Sequence, residues 1–249
     1  MIVSIVTPVF NCEDFVRDCV LSVRRQDYAY IEHIIVDGGS FDGTVRIINE
    51  NAHPRLFLVS EPDAGLYDAI NKGIDRAKGI VLGILNADDC LANTFVISSI
   101  VNQFSNNLCN GVYGNLIYTK RNNISKISRK WTSDQYFPGK LSSGWMPPHP
   151  TLYIKTELFA QVGVYSSEFG SSGDYEFMLR LFSCHEFSAT YLNMIVVIMR
   201  EGGMSNGSLK KAIITLRNDF KILLKSNVGR PIAVLAMKKI RKLSQFLDR

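Results

Sequence analysis

The 249-residue chain has little of what builds metal centres or covalent frameworks. It has five cysteines (Cys12, Cys19, Cys90, Cys109 and Cys184), an odd number with no C-x-x-C pair, and four scattered histidines (His33, His53, His149 and His185). That excludes a thiolate or imidazole zinc site and a disulfide framework, and the thiols are expected to be reduced and mostly buried. No apolar run approaches the ~20 residues that span a bilayer. The opening Met1-Ile-Val-Ser-Ile-Val-Thr-Pro8 lacks a basic leader and reads as a first strand, which predicts a cytoplasmic protein. Internal repeats and low-complexity tracts are also missing.

What is present is an ordinary globular composition, 46% hydrophobic and 20% charged, with a formal net charge of +5. Disorder is excluded, and the length suits one domain or one domain with an appendage. The first half alternates in character. Apolar runs at Ile2–Thr7, His33–Val36, Leu56–Val59 and Ile80–Leu85 predict strands. Helical spacing over Cys12–Gln26, Thr44–Asn51, Leu66–Lys78 and Thr94–Phe104 predicts the intervening helices. In the first of these, Phe15, Cys19, Val20 and Val23 share a face. Such alternation implies right-handed βαβ units and an α/β fold with a mostly parallel central sheet. The second half is less regular. Strands are expected over Val112–Thr119, Asn122–Trp131 (near an edge) and Tyr191–Met199, and a helix over Tyr175–Phe182. Thr132–Pro150, rich in Gly and Pro, is expected to be a long functional or mobile loop.

Acidic residues gather where strands end. Asp37 ends the second strand, Glu61 and Asp63 follow the third, and Asp88 and Asp89 follow the fourth. In an open parallel sheet these carboxyl ends form the ligand crevice. Neighbouring carboxylates repel, so such a cluster suits a cation or a hydroxyl-rich ligand. Asp88 and Asp89 can offer oxygens to Mg²⁺ or Mn²⁺ with phosphate completing the shell, or simply form a turn and cap a helix. Asp37 opens a Gly-rich turn, Asp37-Gly-Gly-Ser-Phe-Asp-Gly-Thr44, which is neither a Walker A loop nor G-x-G-x-x-G. Its carboxylate can accept two hydrogen bonds, as a nucleobase or ribose requires. Asp68 and Lys72 stand i,i+4 on a helix, either paired with each other or with Lys72 facing phosphates. Asp174 lies near a helix start, as a cap or as a base presented to a hydroxyl, while Glu176 and Arg180 are expected to pair. His149, held between Pro148 and Pro150, reads as a rigid exposed histidine able to touch a phosphate, a metal or an acceptor, or as a structural residue.

Ile5-Val-Thr-Pro-Val-Phe-Asn11, Ile35-Val-Asp-Gly-Gly-Ser-Phe-Asp-Gly-Thr44, Glu61–Gly73, Asn86–Asp89 and Gly173–Leu181 occur in an order and spacing that resembles family 2 glycosyltransferases of the GT-A fold. The closest flavour is the bacterial enzymes of exopolysaccharide, O-antigen and colanic acid synthesis. The resemblance covers roughly residues 1–205. It implies a Rossmann-like nucleotide-diphospho-sugar transferase fold, a nucleotide-sugar donor (UDP-linked), a divalent cation (Mn²⁺ or Mg²⁺), and inversion at the anomeric carbon. It assigns Thr7, Pro8, Val9, Phe10 and Asp37 to the nucleoside. Asp68, Lys72 and Asp88 join the nucleotide-sugar contacts, Asp89 with Asp88 holds the metal, and Asp174 is the catalytic base. His149 sits in a Pro-His-Pro-Thr segment found in this subgroup and stands as an acceptor or phosphate contact. Two positions depart from the pattern: Asn86 replaces the first acid of D-x-D-D, and Ile70 stands where many relatives have Arg.

The chemistry suits the parts. A metal at Asp88/Asp89 neutralises the leaving diphosphate, and one carboxylate suffices to deprotonate an acceptor hydroxyl. A glycosidase would instead flank the bond with two acids. The Thr132–Pro150 segment is expected to close over the donor and exclude water. A nucleotidyltransferase is the alternative enzyme, but the Pro8–Glu13 loop lacks the basic residues that grip a triphosphate. A non-catalytic nucleotide-sugar-binding scaffold is the other alternative.

The net charge is unevenly placed. Residues 208–249 hold 11 Lys+Arg and 2 Asp+Glu, against 17 and 21 in residues 1–207. This tail reads as a basic amphipathic helical extension over 206–249. One stripe comprises Leu209, Ala212, Ile213, Leu216, Phe220, Leu223 and Leu224, and a second Ile232, Leu235, Ala236, Ile240, Leu243, Phe246 and Leu247. It is expected either to pack on the domain at 1–205 or to lie on the anionic inner face of the cytoplasmic membrane, near a polyprenyl-linked or glycan acceptor. It lacks the aromatic interleaving of a nucleic-acid binder, and no nucleic-acid partner is expected.

Overall fold

The computed structural model of the protein describes residues 1–202 and 209–246. In chain order the elements are β1 (Val3–Val9), α1 (Val16–Arg24), β2 (Ile31–Asp37), α2 (Thr44–Glu50), β3 (Leu56–Ser60), α3 (Leu66–Arg76), β4 (Val81–Ile84), β5 (Cys90–Leu91), α4 (Val96–Asn106), β6 (Gly111–Lys120) and β7 (Asn123–Trp131). There follow β8 (Tyr153–Lys155), α5 (Leu158–Val162), α6 (Gly173–Phe182), β9 (Ala189–Arg200), α7 (Leu209–Ser226) and α8 (Pro231–Ser244). The strands form one sheet in the order β3-β2-β1-β4-β8-β6-β9-β5, with β7 paired outside β6.

β1, β2, β3 and β4 run parallel, so their carboxyl ends reach the same edge. β1 and β2 are buried along their whole length, as strands covered on both faces must be. β6 continues the sheet with a long parallel ladder to β9, while β8 is inserted antiparallel between β4 and β6. The short strand β5 pairs antiparallel with β9 directly after the Asp88–Asp89 turn. α3 packs very closely on β1: a Cβ on Gly73 would lie 2.3 Å from a Val6 methyl carbon.

Three sequence expectations change. α1 starts at Val16, because Phe15 N–H and Val16 N–H both bond back to Cys12 C=O and make a turn there. Val16 therefore joins Cys19, Val20 and Val23 on the buried face, and Phe15 lies under two guanidinium groups, Arg121 at 4.3 Å and Arg200 at 5.1 Å from its ring centre. Residues 132–150 are not a free lid. Trp145 is buried against Tyr113, Tyr136 and Phe182, and the buried Lys140 ammonium meets Asp134 at 2.8 Å and lies over the indole. The hydroxyl of Tyr136 donates to Phe182 C=O at 2.7 Å, which ties this segment to α6. The short elements β5, β8 and α5 were not anticipated.

α7 and α8 dock on the body. Ile222, Leu223 and Val234 enter the main core, and Lys238 bonds to Asp219 at 2.8 Å while lying over the Tyr175 ring. The apolar stripes are only partly covered: Ile213, Leu216, Leu224, Ile232, Ile240, Leu243 and Phe246 are exposed. Leu247, placed at the end of the second stripe, lies outside the described residues.

Candidate functional site

The strand ends build the site from two braced loops and two acidic positions. After β1, the chain turns through Asn11, a non-glycine residue at φ 46°. Its backbone N–H donates to Ser40 Oγ at 2.8 Å, and its side-chain oxygen accepts Phe41 N–H at 3.0 Å. Cys12 N–H donates to Thr44 Oγ1 at 2.7 Å, and Gly43 N–H to Glu13 at 2.7 Å. This brace fixes the loops after β1 and β2 side by side. Phe10 and Phe41 stand out of it edge to face, ring centres 5.9 Å apart, and both are exposed.

The nucleoside candidates divide. Phe10 faces the open edge, whereas Thr7, Pro8 and Val9 are buried in the sheet. The Thr7 hydroxyl bonds to His33 Nε2 at 3.0 Å, under the sheet surface. Asp37 is fully buried, and its oxygens accept the Ser40 N–H, the Ser40 hydroxyl and the Ser60 hydroxyl. In this conformation Asp37 shapes the Gly-rich turn. Asp68 and Lys72 pair with each other at 3.3 Å, and Lys72 Nζ also donates to Pro62 C=O at 2.8 Å and meets Glu61 at 3.4 Å. Desolvation works against the Lys72 charge, but Asp68 and Glu61 outweigh it and raise the ammonium's pKa.

Asp88 and Asp89 point to different surroundings. Asp88 is partly exposed and meets Arg121 of the β6–β7 turn at 3.3 Å. It lies close to the β1–α1 loop: burial first, and the Asp88 charge second, push the Cys12 thiol up to about 12. Asp89 is fully buried. It accepts the Asn86 amide at 2.9 Å and the Arg200 backbone N–H at 3.2 Å. Burial, reinforced by the Asp88 charge, raises its pKa to about 8. Asn86 thus serves as a donor to the acid beside it. A cavity of about 470 Å³ opens next to this turn, lined by Asp14, Phe15, Asp18, Arg121 and Arg200 among others.

The donor set bears on a cation. Two adjacent carboxyls, one kept protonated by burial and by its neighbour's charge, are what a divalent ion relieves. Among the described residues no cluster of three or more His, Cys, Asp or Glu is poised around one point. The site therefore fits a Mg²⁺- or Mn²⁺-type ion only with phosphate oxygens and water supplying most of its ligands, which is the usual habit of such ions.

Asp174 occupies the first turn of α6, where the helix N-terminus favours a negative charge. It is half-buried, with one oxygen accepting Tyr175 N–H at 2.7 Å. Its backbone N–H donates to the Tyr67 hydroxyl at 3.0 Å. The carboxylates of Asp89 and Asp174 both act on Tyr118, whose pKa is raised chiefly by burial, so the two acidic positions share one neighbourhood. His149 differs from expectation: it is half-buried, not exposed, and its Nε2 bonds to the Tyr165 hydroxyl at 2.7 Å. Burial lowers its pKa, with Asp174 pulling the other way, so a neutral ring stands near Asp174 at neutral pH. Glu176 and Arg180 pair at 2.8 Å as anticipated. Tyr67, Arg121 and Arg200 were not singled out in the sequence, since each meets its partner far along the chain.

Comparison with known proteins gives a consistent result. The sequence matches Glycosyl transferase family 2 over residues 4–168. It is 33% identical over 180 residues to an uncharacterized glycosyltransferase of Mycobacterium tuberculosis, covering 72% of this chain and 68% of that protein. A PGL/p-HBAD biosynthesis glycosyltransferase of Mycobacterium bovis is 29% identical over 216 residues, covering 85% and 82% of the two chains. Among solved structures, S. aureus TarS 1-349 in complex with UDP-GlcNAc superposes with a TM-score of 0.70 at 15% identity, covering 98% of this chain and 73% of that one. The mannosyltransferase PcManGT from Pyrobaculum calidifontis, in complex with GDP-Man and Mn²⁺, gives 0.66 at 16% identity, covering 99% and 75%. At these identities the structural likeness speaks for the fold.

Proposed function

Because the chain belongs to glycosyl transferase family 2 and has the GT-A fold, we propose that it moves a sugar from a nucleoside-diphosphate donor, UDP-linked, to a hydroxyl of a glycan or lipid-linked acceptor, with inversion, as a step in bacterial surface polysaccharide synthesis. The observation that carries the reading is an acid pair at a strand end, Asp88 and the buried Asp89, with a separate carboxylate, Asp174, that acts with Asp89 on Tyr118. One carboxylate at distance from a phosphate-handling pair suits transfer by displacement, with proton removal from the attacking hydroxyl.

In this reading the nucleoside lies along the braced loops, against Phe10. Asp37 acts mainly by holding the Gly-rich turn, and the Asp68–Lys72 pair by holding the start of α3. Asp88, released from Arg121, and Asp89 would hold the divalent cation. When bound, that ion supplies Lewis-acid neutralisation of the leaving diphosphate. Asp174 accepts the acceptor's proton, and neutral His149 offers a hydrogen bond to the acceptor. The relatives and neighbours support a nucleotide-sugar donor through the ligands named with TarS and PcManGT.

Among the described residues no helix is long and apolar enough to cross a membrane. We place the protein in the cytoplasm, peripheral to the inner face of its membrane, with residues 206–249 as the attaching extension. The uncovered apolar residues of α7 and α8 beside the exposed bases Arg230, Lys239 and Lys242 support that placement. Asp174→Asn tests the central assignment: nucleotide release from the donor is expected to be lost while donor binding persists. Unchanged release would remove Asp174 from the base role.

A further inference from the structure

Arg121 stands at the turn from β6 into β7. β4 and β6 both run antiparallel to β8, so β6 runs with β4 and its end reaches the edge where Asp88 and Asp89 stand. The Arg121 side chain lies on a shelf. Its guanidinium sits 4.3 Å from the centre of the Phe15 ring, and a Cβ at Gly202 would lie 3.5 Å from Arg121 Cδ. From that shelf Nη1 reaches one oxygen of Asp88 at 3.3 Å. The contact is single and long, between side chains 41% and 22% exposed. Such a pair is worth only about 0.2–1 kcal/mol, so it is readily exchanged.

Other cations near the strand ends are tied more firmly. Arg200 is buried, donates to Asp88 C=O at 2.7 Å and pairs with Asp18. Lys120 bonds to Glu201 at 2.9 Å. Lys72 is held by Asp68, Glu61 and Pro62 C=O. Arg121 combines exposure, a weak hold on Asp88 and room to move, since it lines the cavity of about 470 Å³ beside the acidic turn.

We propose that Arg121 is an exchangeable counter-ion: it stands in the cation's place at Asp88, yields that place to the divalent ion, and turns its guanidinium to the diphosphate of the donor. This rests on the reading of Asp88 as a metal ligand and deepens it. A guanidinium and a divalent ion compete for the same carboxylate oxygen, whereas a diphosphate offers the guanidinium a pair of oxygens that match its fork. The exchange links the two ligands. Metal binding frees Arg121 for the phosphates, and phosphates that draw Arg121 away uncover Asp88 for the metal, so each tightens the other.

The test is binding without turnover, in the full-length protein at fixed ionic strength. Mn²⁺ alone is followed by the paramagnetic resonance of the free ion, and UDP by calorimetry with and without Mn²⁺. Arg121→Gln removes the competitor, and Mn²⁺ alone is expected to bind about two- to fivefold tighter. UDP in saturating Mn²⁺ is expected to bind about tenfold weaker, because a charge-assisted hydrogen bond is lost. The factor by which Mn²⁺ tightens UDP should therefore shrink. Lys120→Gln removes the same charge one residue away and is expected to leave both affinities at the wild-type value. Mn²⁺ binding that is unchanged or weakened in Arg121→Gln would overturn the proposal, as would unchanged UDP binding. Equal tightening in Lys120→Gln would overturn it too, by showing a general field instead of an exchange. Asp88→Asn separates this proposal from the reading beneath it. Loss of Mn²⁺ binding in Asp88→Asn, with wild-type behaviour in Arg121→Gln, removes only the role of Arg121. Undiminished Mn²⁺ binding in Asp88→Asn removes the cation from Asp88 and the exchange together.

Discussion

Replacing Asp89 by Asn removes a carboxyl that the folded protein can ionise only at a cost. The carboxyl is fully buried, and its pKa is raised from 3.8 to about 8 by burial first and Asp88 second. The sign follows from counting protons. Between those two values the unfolded chain has released this proton and the folded chain has kept it. Stability is then greatest at acid pH and falls as the pH rises through the window. One proton corresponds to a slope of about 1.4 kcal/mol per pH unit. The hydrogen bonds from Asn86 and Arg200 favour the charged form and are already counted in that raised value. A difference on the order of 2–4 kcal/mol accumulates between about pH 5 and about pH 8. In a chain of this size that amounts to about 4–16 °C of melting temperature. The assay is thermal melting of wild type and Asp89→Asn across that range, in chelator. The amide variant loses a hydrogen bond at one oxygen, a constant offset of about 1–2 kcal/mol at every pH. The informative quantity is therefore the slope. Wild type should lose stability with rising pH relative to Asp89→Asn, and Mn²⁺ with nucleotide should flatten the wild-type slope alone. Parallel pH curves would refute the reasoning.

Other perturbations separate the parts of the molecule. Gly73→Ala drives a methyl into Val6 and should lower stability by about 1–3 kcal/mol in denaturant titration; a neutral result would mean that α3 shifts freely on β1. Trp145→Ala should cost about 3–5 kcal/mol in the same assay, because the indole fills the aromatic core beneath residues 132–150, whereas a loose lid would lose little. Ile232→Asp, Ile240→Asp and Leu243→Asp together should abolish binding to anionic liposomes without changing the melting temperature, since all three side chains are exposed; retained binding would place the membrane contact elsewhere or nowhere.

The sheet's parallel half was readable because Ile2–Thr7, His33–Val36, Leu56–Val59 and Ile80–Leu85 are short apolar runs, largely buried except for the half-exposed edge run Leu56–Val59, and are separated by helices with a regular apolar face. The position of Asp88 and Asp89 was readable for the same reason, as they directly follow a strand whose end is fixed by burial. β5 and β8 escaped notice because two or three residues carry no periodicity, and only their partners β9, β4 and β6 make them strands. The contacts of Tyr67 and Arg121 escaped for a different reason. Tyr67 meets Asp174 across 107 positions, and Arg121 meets Asp88 across 33, so neither contact leaves a local pattern. Residues 132–150 misled because Gly and Pro signal irregular backbone, not mobility; Tyr136 and Trp145 fasten the segment to the core. His149 was expected to be exposed for a similar reason, since the flanking prolines fix its backbone but say nothing of Tyr165 above its ring.

The most direct measurement is thermal stabilisation of the full-length protein by a panel of UDP-, GDP- and TDP-linked sugars with Mn²⁺, repeated on Asp89→Asn. A ligand that binds only the folded state raises the melting temperature, by about 2.7 kcal/mol of stability at a hundredfold excess over Kd. At least one nucleotide sugar, expected to be UDP-linked, should stabilise the wild type strongly and the Asp89→Asn protein much less. A panel in which no nucleotide sugar stabilises the wild type would contradict a donor site at Asp88 and Asp89.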